Sequence, residues 1–247
     1  MIERNPIFKE TGENLKELGI EAIFYDLDDT LIFTGEIFDN CVGEYGKKIS
    51  EETGLSEEMI LNTITQIDKE EYITISVNPK RWSSVVIKMS EVFPDYKESI
   101  FRNADLLMKI YTTTPRMRPG ASTILKTVSN FGVKQGLVTH ANVEWTYRKL
   151  EVLGLWNYFD TIFIADENGH KGASDWKKAM DSIEVEPNKC LVIGDSLSGD
   201  IQPCDDLGAR TMWISSPWSV YRTGIVPEKT IKLEQISEML TALDRLR

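Results

Sequence analysis

Four apolar, β-rich stretches recur along the chain, and each runs directly into a polar or acidic cluster. Residues 20–25 lead into Asp26-Leu27-Asp28-Asp29-Thr30, and residues 133–138 into Thr139-His140-Ala141-Asn142. Residues 161–165 lead into Asp166-Glu167-Asn168-Gly169, and residues 190–193 into Gly194-Asp195-Ser196. A fifth stretch, 211–214, follows a Gly208-Ala209-Arg210 turn. Runs of this kind suit strands covered on both faces, as in a parallel sheet. Helical patterns lie between them: 121–130 after Pro119-Gly120, 143–153 ending at Gly154, and 175–183 behind a Ser174 cap. The alternation predicts an α/β fold, a Rossmann-like doubly wound parallel sheet. In such sheets a ligand sits at the carboxyl ends of the strands, where the acidic clusters fall.

Residues 34–115 break the rhythm. Apolar residues recur at helical spacing over 57–69, 82–92 and 96–111, and no comparable β run intervenes. This segment is expected to be an inserted α-helical cap domain, hinged at Phe33-Thr34-Gly35 and at Thr112-Thr113-Thr114-Pro115. Residues 1–33 and 116–247 then form the α/β core, with 1–19 as a partly helical N-terminal extension packed on it. Ile236, Leu240 and Leu243 share one face of a predicted closing amphipathic helix over 234–246.

A chain of 247 residues is long enough for one sizeable core with an insert. Its 39 acidic against 28 basic residues leave a net charge of −11, which argues against general nucleic-acid binding but not against a local phosphate pocket. Cys41, Cys190 and Cys204 are scattered and odd in number, so a reducing, cytoplasmic setting is expected and no disulfide framework. No run approaches the ~18 apolar residues needed to cross a bilayer, so no membrane partner is expected. No feature of the sequence specifies an oligomeric state.

Asp26 and Asp28 stand two apart at a strand end, where different environments could make one a nucleophile and the other a proton carrier. Asp195 and Asp200, in Gly194-Asp195-Ser196-Leu197-Ser198-Gly199-Asp200, join Asp26 if their strand lies beside the first. Carboxylates so crowded call for a cation, and hard oxygen ligands favour Mg2+. Thr139 offers a hydroxyl to a phosphate, and Lys171, in the loop Asn168-Gly169-His170-Lys171-Gly172, a positive charge. Taken singly, each of these is an ordinary turn, cap or surface residue.

The ordered set is more specific. Asp26-Leu27-Asp28-Asp29-Thr30-Leu31, then Val138-Thr139, then Lys171, then Gly194-Asp195-Ser196 with Asp200, resembles the four motifs of the haloacid dehalogenase-like hydrolase superfamily. The helical insert falls where that family's first type of cap is placed, and the likeness spans residues 20–213. The resemblance implies that Asp26 attacks phosphorus, forming an aspartyl-phosphate, while Asp28 serves as general acid and then base. It implies Mg2+ held by Asp26, the Asp28 carbonyl and Asp195, with Asp200 either a further ligand or a support behind the ligands, and with Thr139 and Lys171 on the phosphoryl oxygens. An acid at position 28 is similar to the family's phosphatases and phosphomutases rather than its dehalogenases.

Two positions depart from the family pattern. His140 stands where many relatives carry Asn or Ser, and Gly172 follows Lys171 in place of the common Pro, leaving Lys177 and Lys178 as alternatives to Lys171. His140 is expected to line the substrate entrance rather than carry the chemistry, because the Asp pair already fills the acid/base role. Trp82, Tyr96, Trp145 and Trp156 are expected in core or interface, and Lys80, Arg81 and Lys88 on a solvated helix face. The expected substrate is a small phosphorylated metabolite. A phosphomutase of the same superfamily is the alternative. A non-catalytic binding module on the same fold is the other, although Asp26, Asp28 and Lys171 are all retained.

Overall fold

In the computed structural model, residues 6–217 and 223–246 are described. The chain runs through α1 (Pro6–Glu17), β1 (Ala22–Tyr25), β2 (Ile32–Phe33), α2 (Gly35–Thr53), α3 (Glu57–Ile75), α4 (Lys80–Val92), α5 (Lys97–Arg102) and α6 (Asp105–Met108). It continues through β3 (Arg116–Met117), α7 (Ala121–Ser129), β4 (Lys134–Thr139), α8 (Val143–Val152), β5 (Thr161–Ile164), α9 (Ala173–Ser182), β6 (Cys190–Gly194), α10 (Gln202–Asp206), β7 (Arg210–Ile214) and β8 (Ile231–Leu233). Six strands form one sheet in the order β5-β4-β1-β6-β7-β8, every neighbouring pair parallel. The chain builds outward from β1 through β4 and β5, then returns to the other side of β1 with β6. This reversal places a crevice at the carboxyl ends of β1, β4 and β6.

All four residues of β1 are fully buried, as a strand covered on both faces requires. Ile23 and Tyr25 face one cluster, with Leu125 and Val128 of α7 and with Leu15 and Leu18 at the end of α1. Ala22 and Phe24 face another, with Trp176, Ala179 and Met180 of α9. The Phe24 ring meets Trp176 edge-on at 6.5 Å. A Cβ at Gly136 would stand 2.2 Å from the Phe24 ring, so only glycine on β4 lets that ring lie across the sheet.

Residues 35–111 are helical and build a separate apolar cluster around Tyr45, Ile49, Ile60, Ile64, Trp82, Val85, Met89 and Ile110. The flanking chain crosses into the core through the two-residue antiparallel ribbon of β2 and β3, which pairs Ile32 with Met117 and Phe33 with Arg116. The Arg116 guanidinium lies 4.1 Å from the Phe33 ring and its Nε donates to Glu36 Oε2 at 2.9 Å. Trp145 comes from α8 of the sheet layer yet packs into the insert's cluster, which couples the two bodies.

Several expectations need correction. Residues 234–246 form short 3-10 turns, Ile236–Glu238 and Leu243–Leu246, and not a continuous helix. Ile236, Met239 and Ala242 are buried at a spacing of three, with i to i−3 hydrogen bonds, which suits the three-residue turn. Ser174 does not cap α9, because the helix starts earlier, with Gly172 at the N-cap and Asp175 Oδ2 accepting from its N–H at 3.1 Å. The pattern over 96–111 is broken into α5, α6 and flanking 3-10 turns. Asn103 ends the first piece by donating to Ser99 O at 2.9 Å and Glu52 Oε2 at 3.1 Å. The strand β8 carries only three residues in a buried-exposed-buried pattern at the sheet edge, too short to read from sequence.

All three cysteines are buried and unpaired. Burial pushes the Cys190 thiol up to about 12, and raises Cys41 and Cys204 above the ordinary thiol value as well. Raised values deplete the reactive thiolate. An aromatic disulfide reagent at mildly alkaline pH is therefore expected to titrate no thiol rapidly in the native protein and three after denaturation; one rapid native thiol would contradict this burial.

Candidate active site

Asp26 begins where β1 ends, its backbone N–H donating to Ile193 O at 2.9 Å, so β6 continues to hold the chain one residue past the strand. Thr139 closes β4 and Asp195 follows β6 directly, which brings all three to the same sheet edge. Beyond Asp195 the chain makes one π-helical turn, Leu197–Ile201, and returns Asp200 to the strand end, its Oδ2 accepting from Ser196 N at 3.0 Å. Such turns are frequent at functional sites. A Cβ at Gly194 would stand 2.3 Å from that oxygen, so the last residue of β6 must be glycine for Asp200 to reach its place.

Asp26, Asp195 and Asp200 are all buried, and each brings a carboxylate oxygen within 4.8 Å of the others. Burial raises the Asp200 carboxyl above its ordinary range and Asp195 adds to this, while Lys171 opposes both. Lys171 Nζ lies against Asp26 Oδ1, 2.7 Å from Asp200 Oδ1 and 3.1 Å from Val138 O. Burial works against the Lys171 ammonium, yet Asp200 and Asp26 outweigh it and hold its value above that of a free lysine. Lys171 is the ammonium seated among these carboxylates, and a set of hard oxygen donors this close fits a divalent metal ion.

Asp28 is held separately. Lys149 Nζ, 1% exposed by its side chain, donates to both of its oxygens at 2.6 and 2.8 Å. Thr34 Oγ1 donates to Asp28 Oδ1 as well. Asp29 adopts φ +60°, a conformation that Asp tolerates better than most residues. Its Oδ1 accepts from Thr34 N at 3.0 Å and Gly35 N at 2.9 Å, capping α2 and locking the hinge into the site.

The structure brings Asp26, Asp28, Lys171 and His140 to the wall of one chamber of about 370 Å3, with Ser196, Gly199, Tyr72 and His170. Asp195, Asp200 and Thr139 are buried and are not part of that wall. The Thr139 hydroxyl makes no hydrogen bond among the described residues, leaving a donor at the end of β4. Lys177 is exposed and paired with Asp181, and Lys178 is on the same helix, so Lys171 alone of the three reaches Asp26. His140 Nε2 lies 3.2 Å from Asp166 O and 3.4 Å from Ser76 Oγ, at the seam between the core and the helical insert. Asn78 tightens this seam by donating to Glu167 Oε1 at 2.9 Å and Asn168 Oδ1 at 3.0 Å.

Sequence reasoning missed Lys149, Thr34 and Arg118. A lysine at 149 falls four residues after Trp145, on the buried stripe of α8, and that misplaced charge was the available signal. Arg118 is buried beside the Phe33 ring at 4.7 Å. Burial draws its guanidinium below the usual value, against the pull of Asp29 and Asp195. Arg81 is not on a solvated face: its Nε pairs with Asp68 Oδ1 at 3.0 Å and its Nη1 with Ser76 O at 3.0 Å, both buried.

The family model of the haloacid dehalogenase-like hydrolases matches residues 23–214. The chain is 26% identical over 213 residues to a glyceraldehyde 3-phosphate phosphatase of Pyrococcus abyssi, covering 78% of this chain and 81% of that one. It is also 26% identical over 198 residues to a phosphoglycolate phosphatase of Aquifex aeolicus, covering 78% and 83%. A solved haloacid dehalogenase-like family hydrolase from Xanthomonas campestris shares the fold with a TM-score of 0.73, at 14% identity over 92% of each chain.

Gly194→Ala is expected to displace the Asp200 carboxylate, because the new methyl would meet Asp200 Cβ at 2.6 Å as well as Oδ2. Overpacking of this kind costs about 1–3 kcal/mol, and a misplaced acidic group weakens metal binding by about 10–100-fold. Thermal melts with and without a divalent cation should show both losses; an unchanged metal response would mean that Asp200 does not shape the site.

Proposed function

This chain belongs to the haloacid dehalogenase-like hydrolases, and from that premise we propose that it is a Mg2+-dependent phosphatase hydrolysing the phosphate monoester of a small metabolite. The observation that carries this is the grouping of a strand-end Asp26, the Lys171 ammonium and the oxygens of Asp195 and Asp200 at one sheet edge. Relatives named as phosphatases of glyceraldehyde 3-phosphate and phosphoglycolate support phosphate esters as the substrate class.

In this proposal Asp26 attacks phosphorus in line, forming a P–O bond to its carboxylate as the ester P–O bond breaks. Asp28 gives a proton to the departing alkoxide. It then takes one from the water that attacks the aspartyl-phosphate, so that inorganic phosphate leaves and Asp26 is restored. Lys171 balances charge on the phosphoryl oxygens, and the Thr139 hydroxyl is available to donate to one of them. Mg2+ would be held by Asp26, Asp195, Asp200 and the Asp28 carbonyl, and when bound it supplies neutralisation of phosphoryl charge.

Residues 34–115 act as the cap and 1–33 with 116–247 as the catalytic core. Tyr72 and Ile73, near the end of α3, line the catalytic chamber and limit its access to water. Lys149 and Thr34 act as positioning residues that hold Asp28 in line with the leaving group.

Asp26→Asn is expected to abolish Mg2+-dependent phosphate release across a panel of phosphorylated metabolites. Release by the variant at the wild-type rate, or none by the wild type, would defeat the proposal. Lys149→Met should lower kcat by roughly 10²-fold, the lower end of the worth of a placed acid/base, with little change in KM. Lys149→Arg should recover part of the loss; equal losses in both variants together with unfolding would mark the lysine as structural only.

A further inference from the structure

The catalytic chamber adjoins another cavity. A second cavity, of about 410 Å3, lies between the insert and the sheet layer, and the two share Asp28, Tyr72 and His140 as wall residues. Asp28, the residue assigned to protonate the leaving oxygen, thus stands at the junction. An ester with its phosphate beside Asp26 and Lys171 and its bridging oxygen beside Asp28 has the second cavity open to its alcohol portion.

The walls of that cavity are aromatic. Phe38, Tyr72, Trp82, Tyr111 and Trp145 all line it. Four of these rings form a continuous belt: Trp82 lies 6.0 Å from Phe38, Phe38 6.1 Å from Trp145, and Trp145 5.4 Å from Tyr111. An apolar cavity of about 150 Å3 already holds a benzene ring, so the space here exceeds what a three-carbon alcohol fills. Unfilled space against indole and phenyl faces forfeits dispersion contacts, whereas a flat ring stacked or set edge-on recovers them.

The charge of the lining is selective as well. Its carboxylates are Asp28, Asp29, Asp39 and Asp68, and among the described residues its only lysine or arginine is Arg81. Arg81 is engaged by Asp68 at 3.0 Å and by the Ser76 carbonyl, and sits between the Tyr72 and Trp82 rings at 5.3 and 5.4 Å. Asp28 and Asp68 are engaged in turn by Lys149 and Arg81, so the excess acid of the lining rests on Asp29 and Asp39. A carboxylate or second phosphate on the leaving group would meet no disengaged cation among the described residues. A neutral ring, or one bearing positive charge, meets π faces and carboxylates, both favourable.

We propose that the second cavity receives the alcohol half of the substrate as an uncharged or cationic aromatic ring, so that the enzyme acts on phosphate monoesters of ring-bearing alcohols in preference to small acidic ones. This rests on the phosphatase assignment for its chemistry, but the cavity's preference is measurable without turnover. Calorimetric titration of the Mg2+-loaded protein with non-hydrolysable phosphonates separates the two. Benzylphosphonate is expected to bind at least about tenfold tighter than methylphosphonate, the worth of burying one ring among aromatic walls. The 4-carboxy derivative of benzylphosphonate should lose that gain. Asp39→Lys, at an exposed position of the rim, should restore part of it, and Phe38→Leu, which removes a ring while keeping an apolar side chain, should narrow the benzyl preference. Equal affinities, tightest binding of the carboxy derivative, or no binding of the benzyl compound would overturn the inference. Hydrolysis of benzyl and methyl phosphates, run alongside, reports on the phosphatase assignment: no release from either ester with the phosphonate ranking intact refutes that assignment and leaves the cavity's preference standing.

Discussion

Three carboxylates, those of Asp26, Asp195 and Asp200, converge in a buried pocket with a single ammonium, that of Lys171, among them. Like charges brought this close in a poorly hydrated site repel strongly unless cations stand between them. Much of the local structure serves to hold that arrangement. The π-helical turn returns Asp200 to the strand end, and Gly194 leaves room for it. The indole of Trp176 fastens the same turn by donating to Gly199 O at 2.8 Å, and that of Trp213 donates to Asp195 O at 2.9 Å. The energy for this confinement comes from the sheet itself, whose central strand β1 is buried on both faces between apolar layers.

The second acidic residue of the site is governed from a different direction. Asp28 lies beyond the strand, on the turn that leads into the insert, and its carboxylate is fixed by Lys149 from α8 and Thr34 from the hinge. Lys149 also lies 4.1 Å from the ring of Trp145, the residue that carries α8 into the insert's apolar cluster. A short chain of contacts therefore links the packing of the insert, through Trp145 and Lys149, to the orientation of Asp28. Any rocking of the insert about the β2–β3 ribbon would be felt at that carboxylate, a coupling that follows from shared contacts and not from distance alone.

The insert contributes differently to the two chambers. To the catalytic one it lends, among the described residues, Tyr72 and Ile73, so the surroundings of Asp26 are set mainly by the sheet layer. To the second it lends Phe38, Trp82, Tyr111 and the paired Asp68 and Arg81, so the shape and charge of that cavity are set mainly by helices. Ser76, with φ +60° between α3 and α4, sits where the insert and the sheet layer touch, its hydroxyl donating to Gly169 O at 2.6 Å.

The sequence by itself determined the strands β1, β4, β5, β6 and β7, because their apolar residues run together without a helical period, fully buried in β1 and β6 and partly so in the edge strand β5. For the same reason it marked Asp26, Asp28, Thr139, Asp195 and Asp200 as polar residues at strand ends. It did not reveal β8, whose three residues alternate like any edge segment, nor the 3-10 turns of the last thirteen residues, whose spacing of three is close to that of a helix. The sequence favoured Lys171 over Lys177 and Lys178, which fall within a helix, but only the tertiary structure brought its ammonium against Asp26, because a loop residue's reach depends on where neighbouring strands place it. It alone assigned Lys149 to Asp28 and took Arg81 from solvent into a buried pair with Asp68, for an ionic partner more than a hundred residues distant, or one on the next helix, leaves no periodic trace in a chain. Periodicity records what is buried; the identity of the partner across the buried space is settled only when the elements pack.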